Sequence, residues 1–216
     1  MMLESMVGLL LDGMITSIEI FLLTLLFSLP LGLLISFGRM SSFGPLRWLM
    51  KVYISIMRGT PLMLQLIVVF FGPYYIFGMT LSPDYRFIAV IIAFSINYAA
   101  YFAEIYRGGI ESINSGQYEA AQVLGYSRLE TFFIIIMPQV FKVILPSVTN
   151  EIITLVKDTS LSFVIAIPEM FTVAKQIAAA DASIAALLVA GIFYYIFNMI
   201  VAFVMEYLEN RMDYYE

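Results

Sequence analysis

Asn97, Tyr101, Glu104 and Gly108 recur at i, i+4, i+7 and i+11, one face of a helix that is otherwise almost wholly apolar. Asn150, Glu151, Thr154 and Asp158 form a second polar stripe at i, i+1, i+4 and i+8. Arg58-Gly59-Thr60-Pro61 joins a guanidinium to a helix breaker. These groups have the chemistry of recognition. A carboxylate holds an ammonium, a guanidinium holds a carboxylate, and amide, phenol and hydroxyl groups orient what lies between them. The chemistry of catalysis is mostly missing. The chain has no cysteine and no histidine, which removes disulfides, thiol nucleophiles, Cys/His zinc sites and imidazole acid–base steps. Glu151 and Asp158 could form an acid pair, but nothing beside them supplies a nucleophile with a base.

The elements that carry these residues follow from composition. Of 216 residues 62% are hydrophobic and only 12% are charged, with mean hydropathy +0.93. A soluble surface needs about twice that charge, so the composition places the chain in a bilayer. No basic cluster suggests nucleic acid as a partner, and the net charge of −5 must be read loop by loop. Membrane helices of about 20 apolar residues are expected over 13–38, 59–83, 87–103, 139–157 and 182–205. An irregular, partly buried stretch is expected after the fourth. The first run follows Glu4 and Asp12 and not a basic segment, so it reads as a retained helix. Arg39, Arg47, Lys51, Arg107, Arg128, Lys142 and Arg211 fall on one side, against Arg86, Lys157 and Lys175 on the other. This bias puts the N-terminus outside and the C-terminus in the cytoplasm.

The stretch SGQYEAAQVLGYSR, residues 115–128, is then cytoplasmic. Its good helix formers predict a short exposed helix over 117–125, preceded by Gly116 and capped by Gly125 in a left-handed conformation. Tyr118, Ala121 and Gly125 share a smooth face at i, i+3 and i+7, and Glu119 lies in the expected first turn, near the helix dipole's positive end. Pro138 and Pro146 would set the angle of the fourth span, and Phe132 and Phe133 would pack the linker on the membrane helices. By composition alone an ordinary interfacial helix accounts for the segment.

Glu119-Ala120-Ala121, three residues, Gly125, nine residues, Ile135, one residue, Met137-Pro138 closely resembles the EAA signature of ABC-importer permease subunits, with Met137 where leucine is usual. MRGTPLMLQL (57–66), AEIYRGGIESINSGQYEAA (103–121) and LVKDTSLSFVIAIPE (155–169) resemble the polar amino-acid branch of that family, and the likeness runs over about 13–207. It implies an all-α type I permease fold, one transmembrane domain over residues 1–216 with five spans, in a bacterial inner membrane. It also implies a coupling segment at about 115–138, with Tyr118, Glu119, Ala120, Ala121 and Gly125 docking on an ATPase. The expected partners are two ABC ATPase subunits holding ATP and Mg, a second permease copy (identical or paralogous), an extracytoplasmic amino-acid-binding protein, and lipid. This chain itself would hold no cofactor or metal, and it has no GxxxxGK[ST] phosphate loop.

Asn97, Tyr101, Glu151, Thr154, Asp158 and Ser160 are the expected substrate contacts. Arg58, Thr60, Glu104 and Lys157 are the expected gate or structural polar groups. Some roles stay open. Asn97 serves either as ligand contact or as interhelical glue, worth about 0.6 kcal/mol. Glu104 pairs with Arg107 three residues on. Arg58 either pairs with Glu151, receives a substrate carboxylate, or lies at a dimer interface as the resemblance favours. Lys157-Asp158-Thr159-Ser160 resembles the family's KDTS segment, where a helix ending inside the membrane frees carbonyls for an ammonium. The acidic surplus suits a cationic amino acid such as arginine, lysine or histidine. The alternatives are a glutamine- or glutamate-type permease and an ion-driven secondary transporter.

Overall fold

Backbone groups in hydrocarbon must pair within their own segment, and helices satisfy that demand. The computed structural model describes residues 3–212, and among these every regular element is helical. The order is α1 (Leu3–Met40), α2 (Gly44–Gly59), α3 (Leu62–Phe77), α4 (Tyr85–Ser112), α5 (Ser115–Val123), α6 (Arg128–Glu130), a π-helical stretch (Thr131–Ile136), α7 (Met137–Asp158), a 3-10 stretch (Thr159–Ile165), α8 (Met170–Ala180) and α9 (Ala185–Arg211). Four of these runs are long and apolar enough to cross a membrane: α1, α4, the run Arg128–Ile165 and α9. The bent pair α2–α3 makes a fifth if it is one span. The single domain expected over 1–216 reaches at both ends, 1–2 and 213–216, outside the described residues.

Packing centres on α4. Its Ala93, Ala99, Ala100 and Ala103 are buried, as are Phe94 and Phe102. On α1, a Cβ added at Gly32 would come within 2.8 Å of the Phe102 side chain and 3.1 Å of the Ala99 carbonyl. Small residues of this kind let membrane helices approach, because lipid is as apolar as any side chain and offers no hydrophobic drive for association. By contrast α9 buries only Ala186, Ala190 and Met205, so most of its surface faces outward.

Three features differ from the sequence reading. The uncharged run 59–83 holds only the 16-residue helix α3, which meets the preceding α2 at 109°. Thr60 is extended (φ −123°, ψ 148°), as the residue before a proline must be, and it breaks the helix. The expected basic loop after α1 shrinks to residues 41–43, because Arg47 and Lys51 lie within α2, which starts with Pro45 in its first turn. Between the fourth span and α8 only 159–169 departs from α-helix, as a 3-10 stretch and a short loop. Residues 170–180 form the regular helix α8, which the charged and proline-bounded sequence concealed. The fourth span itself ends at Asp158, one residue past the expected end.

Candidate functional site

The break between α2 and α3 is built to leave few polar groups unmatched. Helix termination frees the carbonyls of Met57 and Thr60. The Gln65 amide reaches back to both, at 2.9 and 3.1 Å, and to the Thr60 hydroxyl at 2.8 Å. The Asn97 amide on α4 donates to the Met57 carbonyl at 3.0 Å and to Gln65 Oε1 at 2.9 Å. The Tyr53 hydroxyl donates to the Ile96 carbonyl. Asn97 is therefore a clamp on the break, and both hydrogens of its amide group are in use.

Beside this clamp lies a cavity of about 440 Å³. Its wall takes Thr60, Pro61 and Leu62 from the break, Asn97, Tyr98 and Tyr101 from α4, Glu151, Thr154 and Asp158 from α7, and Leu161 from the 3-10 stretch. Five of the six expected substrate contacts meet here. The sixth, Ser160, does not line the cavity. The 3-10 pitch turns it aside, and its hydroxyl donates to the Lys157 carbonyl at 2.7 Å. Asp158 accepts from the Tyr98 hydroxyl at 2.7 Å, and the Thr154 hydroxyl donates to the Asn150 carbonyl at 2.8 Å. Glu151 makes neither a hydrogen bond nor an ion pair with any described residue. The wall thus carries two carboxylates and no cation.

The expected gate residues separate. Only Thr60 lines the cavity. Arg58 does not bridge to Glu151; its guanidinium carbon lies 5.2 Å from the centroid of the Tyr101 ring. Lys157 is exposed and does not line the cavity. Glu104 is ion-paired with Arg107 at 2.7 Å and with Arg39 at 3.8 Å, and Arg107 also pairs with Glu111. That cluster ties α4 to α1 away from the cavity.

At the other end of the run that carries Asp158 sits the surface helix α5. Asn114 caps it by accepting from the Gly116 N–H at 2.8 Å. Its C-terminus closes with two crossed bonds: the Gly125 N–H donates to the Gln122 carbonyl and the Tyr126 N–H to the Ala121 carbonyl, each at 3.1 Å. This closure needs the left-handed backbone that Gly125 supplies at φ +84°. Ser127 and Glu130 form a reciprocal capping box that starts α6.

Three expectations change here. The helix begins at Ser115, so Glu119 lies beyond the first turn and gains little from the helix dipole. Ala121 is 1% exposed and packs inward, so it is not part of a docking face. The open apolar surface is instead Val123, Leu124 and Leu129, with Tyr118 and Tyr126 half exposed beside it. Phe132 does pack on the membrane helices, against Phe37, whereas Phe133 is exposed.

Sequence reasoning missed Tyr98, Leu161 and Glu169. Tyr98 was detectable, since a buried tyrosine must find an acceptor for its hydroxyl and Asp158 is the kind of group it needs. Glu169 is fully buried at the N-cap of α8 and takes four donors. Nothing in the sequence reading hinted at that role, because the helix that it caps was not expected.

The family described as "Binding-protein-dependent transport system inner membrane component" matches residues 28–214. The L-cystine transport system permease protein TcyB of Bacillus subtilis (strain 168) is 38% identical over 205 residues, covering 94% of this chain and 86% of its own length. The arginine transport system permease protein ArtQ of the same organism is 36% identical over 203 residues, 94% of this chain and 91% of its own. The solved structure described as "Crystal structure of an amino acid ABC transporter with histidines" superimposes with a TM-score of 0.86 at 30% identity, over 95% of this chain and 94% of that one.

Proposed function

This chain belongs to the family of binding-protein-dependent transport system inner membrane components, and from that premise we propose that it is the permease subunit of an ATP-driven importer of polar amino acids. The observation that carries the proposal is continuity. One helical run, Arg128–Ile165, starts at the exposed apolar knob around α5 and ends on the cavity wall at Asp158 and Leu161. A push on the knob therefore reaches the cavity along a single rod. ATP and Mg are held by two separate ATPase subunits, and their closure draws the knobs together and switches the cavity from inward- to outward-facing. Such a switch requires the ATPases to bind the two states unequally. An extracytoplasmic binding protein delivers the substrate to the outer face. The chain forms one transmembrane domain, has its N-terminus outside, and leaves ATP hydrolysis to its partner.

A second permease copy, identical or paralogous, covers the open side. Arg58, Thr60, Thr154 and Lys157 are exposed near the helix breaks, and charged groups at that depth do not face lipid freely. The cargo is a cationic amino acid. Glu151 is free to take its side-chain cation, while Asp158, steadied by Tyr98, takes its ammonium. Tyr101 and Thr154 line the same space, and Asn97 and Thr60 hold the wall in place.

The test is substrate-dependent ATP hydrolysis by the permease reconstituted in vesicles with its ATPase and binding protein. Arginine or lysine should stimulate it. Stimulation by glutamine or cystine with arginine silent would remove the cationic assignment, and indifference to every amino acid would remove the importer reading itself.

A further inference from the structure

The stretch 159–169 joins the cavity-bearing helix α7 to α8, and both of its ends converge on a side chain that does not touch the cavity. Tyr194 lies on α9. Its hydroxyl donates to Glu169 Oε2 at 3.0 Å, at the far end of the stretch. At the near end the same oxygen lies 3.5 Å from the Thr159 hydroxyl, which also reaches the Val156 carbonyl at 2.8 Å. Thr159 and Glu169 are both fully buried.

Glu169 is itself immobilised. Its two carboxylate oxygens accept from the Phe171 and Thr172 N–H groups, each at 2.7 Å, and from the Thr172 hydroxyl at 2.8 Å. The α8 start is in turn pressed on α1. The Met170 N–H donates to the Ser17 hydroxyl at 3.3 Å, and a Cβ added at Gly13 would come within 2.9 Å of the Met170 Cα. A backbone this close cannot yield cheaply.

We propose that Tyr194 is a positioning residue of the importer's substrate site: its hydroxyl holds the far end of the non-α stretch 159–169 by donating to Glu169, lies against the Thr159 hydroxyl at the near end, and so fixes where Asp158 and Leu161 stand on the cavity wall. The inference rests on the importer reading above. Leu161 belongs to the clasped stretch, and Asp158 immediately precedes Thr159. Without the Tyr194 hydroxyl the stretch keeps its local turns, since the Ser162 hydroxyl still donates to the Thr159 carbonyl at 2.6 Å, but the tie from α9 to its ends is lost. The cavity then holds substrate less tightly.

The experiment compares wild type, Tyr194→Phe and Thr159→Val in the complex reconstituted with ATPase and binding protein. Amide hydrogen exchange over 159–165 and arginine-stimulated ATP hydrolysis are both followed. Tyr194→Phe keeps the ring and removes only the hydroxyl. Faster exchange is expected in both variants, with a roughly five- to tenfold rise in the half-saturating arginine concentration and an unchanged maximal rate. Exchange and half-saturation both as in wild type would overturn the clasp. Faster exchange with unaltered half-saturation would reduce Tyr194 to a structural part and overturn the positioning role. Should Tyr194→Phe fail to assemble, Thr159→Val, which breaks only the near end, decides by the same two readouts. A wild-type complex that no amino acid stimulates would overturn the importer reading, whatever the exchange shows.

Discussion

Glu151 faces the cavity without a hydrogen-bonding partner among the described residues, and a carboxylate at that depth is costly unless something compensates it. Under the proposed function, a cationic cargo supplies that compensation. Glu151→Gln should raise the half-saturating arginine concentration roughly tenfold or more, because charge-assisted hydrogen bonds contribute about 1.5–3 kcal/mol. Measured arginine dependence unchanged by the substitution would place the cargo elsewhere. Asp158→Asn should weaken binding too, but it also disturbs the Tyr98 hydrogen bond, so Tyr98→Phe should show a smaller effect in the same direction. The polar stripes made this cavity largely legible in sequence. Glu151, Thr154 and Asp158 share a face at helical spacing, and the structure keeps them together. Ser160 escaped because it lies past the point where 3.6-residue periodicity stops applying. Asn97 kept two readings open in sequence, and only its distances to Met57 and Gln65 show the clamp.

Two elements set the geometry of everything else. One is the closure of α5, where Gly125 adopts φ +84°. Gly125→Asp should strain this turn by about 1–2 kcal/mol and misdirect the apolar knob. Assembly with the ATPase, followed by co-purification, should fall sharply; assembly at the wild-type level would remove α5 from the coupling role. The other is the contact of α1 with α8. Gly13→Ala would force a methyl into the Met170 backbone and should destabilise the chain by about 1–3 kcal/mol, read as a lower unfolding temperature in detergent. An unchanged temperature would show that the helices part easily. Apolar length made the long helices plain, whereas the 109° bend was only half visible. Thr60-Pro61 announced a breaker but not whether the chain would kink or turn away. The regular helix α8 was hidden because the sequence reading put only an irregular stretch after the fourth span, whereas Glu169, just past Pro168, caps a regular helix.

On the scale of the whole molecule, the proposed second membrane subunit would cover the exposed polar face around Arg58 and Lys157. Paired cysteines at Lys157, introduced into a cysteine-free chain, should cross-link across that face in vesicles. Failure to cross-link there, with ready cross-linking through α9, would turn the subunit round. The proposed coupling joins a cavity at one end of the helical run Arg128–Ile165 to an apolar knob at the other. The most direct measurement is uptake of labelled arginine by vesicles that hold the permease, its ATPase and the binding protein, with Leu124→Asp as the comparison. The account predicts uptake that requires ATP on the ATPase side and drops at least tenfold in the variant. Uptake that proceeds without the ATPase, or that Leu124→Asp leaves intact, would contradict it.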